Sequence, residues 1–189
     1  MDFIAVLDYE HLDNGMFLTS FAQALSRSES RGIIIHGDSE YTERLIQTGV
    51  MREEAVIRAV KDLNHRLIAL FADQGVSTIG VNGYQKSLLT VKEKRVHVDK
   101  SEIDKLPSQP MLLISNLARF EDEDRVGPVS LPEFALRLKE SFNLDEVTLF
   151  SIHDTAEIID EKMPAIMHGS EVDDEFKNKH LPESFRSLP

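Results

Sequence analysis

Five short apolar runs, at 3–7, 33–35, 77–81, 111–115 and 147–152, set the terms on which this chain can fold. Most are separated by stretches in which apolar residues return every three or four positions. Phe17, Leu18, Phe21 and Leu25 do so across 15–28, residues 39–47 form a shorter version, and 131–142 another. The longest runs from Arg52 to Gln74, where Val56, Ala59, Val60, Leu63, Leu67, Leu70 and Phe71 keep the spacing until Gly75 stops it. Strands that are apolar on both faces need a layer of helices on each side. The pattern predicts an α/β three-layer sandwich with a mostly parallel central sheet, folded as one domain over 1–160. Residues 87–91 and 95–98 alternate as a hairpin would, 99–110 reads as polar connection, and the acidic run 121–125 as a loop. Beyond Asp160 the pattern dissolves. Residues 161–189 read as a C-terminal arm, extended or partly disordered, with Phe176, Leu181, Phe185 and Leu188 spaced as anchors.

Composition narrows the chemistry. The chain has no cysteine, which removes disulfides, thiolate nucleophiles, Cys-ligated zinc and iron–sulfur clusters. A formal charge of −12, from 21 Lys and Arg against 33 Asp and Glu, opposes nonspecific attachment to nucleic acid or an anionic membrane. No apolar stretch approaches a membrane span, and the opening MDFIAVLDYE lacks the basic start of a secretion signal. A cytoplasmic protein with neither nucleic acid nor membrane as partner is expected. The charge is also uneven: residues 1–26 contain Asp2, Asp8, Glu10 and Asp13 but no Lys or Arg.

The block 61–93, KDLNHRLIALFADQGVSTIGVNGYQKSLLTVKE, carries the strongest signal. A long helix with Asn64 in its middle is followed by Gly75, a strand, the Gly80-x-x-Gly83 turn and an apolar hairpin beginning at Leu88-Leu89-Thr90. This arrangement resembles the core of the amino-acid kinase family, and the acetylglutamate kinases in particular. Upstream, Ile33-Ile34-Ile35-His36-Gly37 is similar to the family's strand leading into a His-Gly-Gly-Gly turn. The resemblance spans about residues 3–154 and implies a phosphotransferase scaffold. Such chemistry needs glycine-rich turns that offer backbone N–H groups to phosphate, and lysines that neutralise developing charge.

Position by position, the reactive residues of that family are missing. Where the resemblance implies a Lys and paired glycines after the first strand, this chain has Leu7-Asp8-Tyr9-Glu10. The triple-glycine turn reads His36-Gly37-Asp38-Ser39, and the Lys-Asp-Gly-Gly turn reads Tyr84-Gln85-Lys86-Ser87. The family's substrate arginine falls on Thr48-Gly49, with Arg52 three or four positions away. An Asn–Asp pair falls on Ser130 and Pro132, and the catalytic Asp on Ile152, with Asp154 two residues late. The nucleotide half of the family would need more residues than follow 154. The resemblance thus implies the scaffold of an acetylglutamate-kinase-like protein without its nucleotide half, a binding or regulatory module rather than an enzyme, with no cofactor. The alternative is a divergent transferase acting on a small acidic metabolite such as an N-acylated amino acid.

Ligands of open α/β sheets sit at the carboxyl ends of the strands. The candidate ligand-binding residues are therefore His36, Gly37, Asp38, Asn64, Gly80, Asn82 and Gly83, with Asp8 and Asp38 as candidate ligands of a divalent cation. Acids at strand ends are more simply solvated, and no tight spacing such as His-x-x-x-His supports a metal-dependent hydrolase. Asp8-Tyr9-Glu10 is also similar to the nucleophile strand of haloacid-dehalogenase-like phosphatases, but Glu10 stands where a second Asp belongs. Asn64 is either a contact near the substrate or a residue on an exposed helix face. The apolar surface left by a missing nucleotide half would need a cover, the arm or a second copy of the chain, so a homodimer is expected.

Overall fold

A computed structural model describes residues 1–108, 110–152 and 172–186. Four strands form the central sheet: β1 (Phe3–Leu7), β2 (Gly32–His36), β3 (Thr78–Asn82) and β6 (Met111–Ser115). They lie in the order β1-β2-β6-β3, all parallel. Alternate residues of each strand feed two cores, as the pleat requires. Ala5, Leu7, Ile34 and Leu113 pack under α2 (Gly15–Ser26) and α4 (Arg52–Asp73), against Leu18, Ala22, Leu63, Leu67 and Phe71. Ile4, Val6, Ile33, Ile35, Leu112 and Ile114 face the other way, onto Phe134, Ala135 and Leu138 of α6 (Leu131–Phe142). Two short helices, α1 (Tyr9–Leu12) and α3 (Tyr41–Gln47), follow β1 and β2 directly.

The second core also holds Leu89, Val91 and Val96 from a smaller sheet. That sheet is ordered β5-β4-β7-β8, from β4 (Leu89–Lys92), β5 (Arg95–Val98), β7 (Leu117–Phe120) and β8 (Arg125–Pro128). The β4–β5 hairpin falls where alternation predicts it. The acidic loop expected at 121–125 is, over 121–124, the turn of a β7–β8 hairpin whose strands do not show in the sequence. They have four residues each, too short to display a pattern. The polar connection 99–110 contains helix α5 (Lys100–Asp104), started by Asp99, whose carboxylate accepts from the N–H groups of Ser101 and Glu102.

The strand expected over 147–152 contracts to one bridge beside β1. Thr148 donates to the Ile4 carbonyl at 2.8 Å and accepts from Val6 N–H at 3.1 Å. The chain leaves the ladder there and Phe150 joins an aromatic group with Phe17, Phe21 and His11, at ring separations of 5.3, 5.1 and 6.0 Å. His153 and Asp154 lie outside the described residues.

Within the stretch expected as an extended or partly disordered arm, the structure places helix α7 (Asp174–His180) and a 3-10 turn, Glu183–Phe185. Asp173 caps α7 through the Phe176 N–H, and Phe185 is buried at 2% exposure within the α6-side core. The His180 carbonyl accepts from the Ile152 N–H at 3.0 Å. Leu188 lies outside the described residues. Among the described residues no helix is long and apolar enough to cross a membrane.

Candidate functional site

Leu7, His36, Ser115 and Asn82 stand in register across the carboxyl ends of the four central strands, on the face that α4 covers. This row is where a ligand of an open parallel sheet belongs. Its polar members are instead bonded to one another or sealed in. His36 is wholly buried; its Nδ1 donates to the Gly37 carbonyl at 3.1 Å, and Nε2 has no partner among the described residues. Burial alone drives the imidazole down to about 4, from an ordinary 6.5, so it stays neutral and accepting. Ser115 Oγ donates to Asn82 Oδ1 at 3.0 Å, and the Asn82 N–H is taken by Gln85 Oε1 at 2.8 Å.

Asn64 is buried, which removes the exposed-face reading. It reaches from α4 to the edge of the sheet and donates to the Val81 carbonyl at 3.2 Å. Gly80 gives it room: a Cβ there would stand 2.3 Å from Asn64 Oδ1 and 2.2 Å from Ile68 Cδ1. Gly83 marks the point where the chain leaves β3 and crosses the end of β6. A Cβ at Gly83 would meet the Leu117 carbonyl at 2.6 Å and the Ser115 carbonyl at 2.8 Å. The Gly-x-x-Gly spacing thus has a packing cause at both positions. Gly37 is buried beside Leu131 and Asn116, whose amide nitrogen donates to the Val129 carbonyl at 2.7 Å.

The carboxylates are equally occupied. Asp38 accepts from the Thr42 hydroxyl and from the Ser39 N–H, and its burial raises its pKa. Asp8 caps α1, accepting from the Tyr9 N–H at 2.8 Å, and also accepts from the Ser184 hydroxyl of the arm. Glu10 accepts from the Glu183 N–H at 3.3 Å. Asp8 is thus the cap of α1 and, with Glu10, the seat of the arm. Among the described residues no three His, Asp or Glu side chains gather closely enough to hold a metal ion.

Open space lies elsewhere. The start of α4 faces β8 across a cavity of about 760 Å³ lined by Arg52, Lys61, Val56, Ile57 and Val126, with Glu53, Glu54 and Glu123 among its acids. Arg52 pairs with Glu43 at 3.1 Å, both well exposed, while Lys61 lies over the Tyr84 ring at 5.1 Å. Arg125, on the opposite wall, stacks at 3.9 Å on Phe120. Sequence reasoning passed near Arg52 but missed Lys61 and Arg125. The signal for Lys61 was its place on α4 one turn beyond Ile57, so that the two share a helix face. For Arg125 there was none without β8.

This layering, a parallel sheet between helices with a hairpin sheet at one end, is the amino-acid kinase fold. Neither a family model nor a curated protein sequence matches the chain. Solved structures do. The smu.665 protein of Streptococcus mutans UA159 superposes with a TM-score of 0.60 at 16% identity, over 78% of this chain and 72% of that one. Aspartate kinase from Synechocystis gives 0.63 at 11%, over 79% of this chain but 28% of that enzyme. An isopentenyl phosphate kinase from T. acidophilum gives 0.59 at 14%, over 86% and 76% of the two chains. Identities this low establish a shared fold.

Proposed function

We propose that this protein is an amino-acid-kinase-like binding or regulatory module without phosphotransfer activity, taking a small acidic ligand between α4 and β8. One observation carries the reading. The carboxylates and Asn82 at the carboxyl edge of the sheet are committed to internal bonds, Asp8 to Ser184, Asp38 to Thr42 and Asn82 to Ser115, and His36 is sealed in as a neutral imidazole. Nothing in that row offers a free cation to a transferring phosphoryl group. The cavity at α4 does hold cations, Lys61 together with Arg52 and Arg125, which pair with Glu43 and Glu123, beside the apolar Val56, Ile57 and Val126, a setting for a carboxylate attached to a short apolar chain.

A thermal-shift series tests it, with ATP–magnesium, N-acetylglutamate and divalent metal ions as separate additions. The reading expects stabilisation by the acylated amino acid alone, lost in Arg52→Ala and Lys61→Ala. Stabilisation by ATP–magnesium together with ADP release would establish the alternative, a divergent transferase, which the position of Arg52 at the head of α4 favours. Stabilisation by a metal, lost in the Asp8→Asn, Asp38→Asn double variant, would restore a cation site there.

The module works as a homodimer in this reading. The support is β3, an edge of the central sheet that is half-buried along its length and hydrogen-bonded only to β6 among the described strands. Light scattering at micromolar concentration is expected to give twice the chain mass of 21.4 kDa; a monomer would remove this part.

A further inference from the structure

We infer that the cleft between β5 and α6 is a second ligand site, built for a small, multiply charged oxyanion such as a phosphorylated or polycarboxylic metabolite. The cleft encloses about 310 Å³ and is lined by Arg95, Val96, His97, Val98, Arg137, Glu140 and Ser141. It shares no lining residue with the cavity between α4 and β8, so it stands or falls independently of the function proposed above.

Three features converge there. Arg95 and His97 alternate outward from the same side of β5, with their Cα atoms about 7 Å apart along one wall. Arg137 and Ser141 lie four residues apart on α6, so they share the facing wall. Backbone groups line the edge as well. The hairpin closes through the Lys92–Arg95 pair, and Thr90 pairs with His97, so the N–H groups of Val96 and Val98, with their carbonyls between them, point away from β4, toward the open edge.

The electrostatics favour an anion despite the chain's overall charge of −12. The segment 92–100, KEKRVHVDK, carries four of the protein's 21 Lys and Arg within nine residues. The one acid in the cleft, Glu140, is held by Arg137 Nη1 at 2.8 Å, which leaves that guanidinium's other N–H groups to a ligand. Arg95 forms no ion pair among the described residues. A guanidinium fork on each wall matches the planar oxygen pairs of a phosphate or carboxylate. The net negative charge works as a filter: it opposes loose accumulation of anions, so only a site with local donors retains one.

Calorimetry on the full chain at low ionic strength, with pyrophosphate and citrate as separate probes, tests the inference. Saturable binding of at least one probe is expected. It should weaken tenfold or more in Arg95→Ser and in Arg137→Ser, and persist in Arg52→Ala. Preference for pyrophosphate marks a phosphorylated ligand, and preference for citrate a polycarboxylate; either supports the site. Circular dichroism of each variant confirms that loss of binding is not loss of fold. Absence of binding by the unmodified protein overturns the inference, and so does binding that both serine variants retain. Binding lost only in Arg52→Ala assigns the anion to the other cavity and overturns it as well.

Discussion

His36 shows how a single side chain can tie stability to pH. Its folded pKa of about 4 lies below the ordinary 6.5, so in the window between them the unfolded chain binds more protons than the folded one. Stability is therefore complete above pH 6.5 and declines as pH falls toward 4, by up to about 3 kcal/mol. His11, lowered chiefly by burial, acts in the same direction. Urea unfolding at pH 7 and near the lower limit should show the loss, and His36→Leu should flatten much of it. An unchanged slope in that variant would mean other groups set the pH response. Gly83→Ala makes a second residue-level prediction. The atoms its Cβ would strike are backbone carbonyls that cannot rotate away, so a loss of about 3 kcal/mol is expected in denaturant melts. Both residues were visible in sequence as members of a ligand-binding edge. That they serve packing was not visible, because the groups that enclose them, Leu7 and Ser115 beside His36 and the Leu117 carbonyl beside Gly83, become neighbours only once the sheet is assembled.

Among the elements, the long ones could be read directly and the short ones could not. α4 and α6 announce themselves through apolar spacing, and α4 also through Gly75 at its end; the Ser130 cap of α6, accepting from the Glu133 N–H, shows only in the structure. β1, β2 and β6 are apolar on both faces because both faces are covered. By contrast β7 and β8 pair across an acidic turn, and α1 has four residues held by Asp8 and His11 in a reciprocal cap. Periodicity needs length, and these elements have too little of it. The β4–β5 hairpin carries a cost that can be relieved. Glu93 and Lys94 turn it with φ of 50° and 60°, a left-handed pair that Asn-Gly adopts readily. Glu93→Asn with Lys94→Gly should raise stability by about 1 kcal/mol, read as a shift in denaturation midpoint. No gain would show that the present turn is not strained enough to matter.

For the molecule as a whole, the arm decides where the fold ends. Phe185 is 2% exposed in the α6-side core, and Ser184 and Glu183 bind Asp8 and Glu10. Phe185→Ala in the full chain should cost about 3 kcal/mol while keeping one cooperative transition. A change within a few tenths would mean the arm is an appendage. If the larger effect holds, it carries a consequence for how the protein is made. Asp8 and its Ser184 partner are 176 residues apart, so the end of β1 must await a segment synthesised much later. At about 5–20 residues per second that interval is roughly 10–35 s. During it Asp8 and the seat of Phe185 stand open on a nascent chain, a natural contact for a chaperone and a vulnerable point if synthesis stalls.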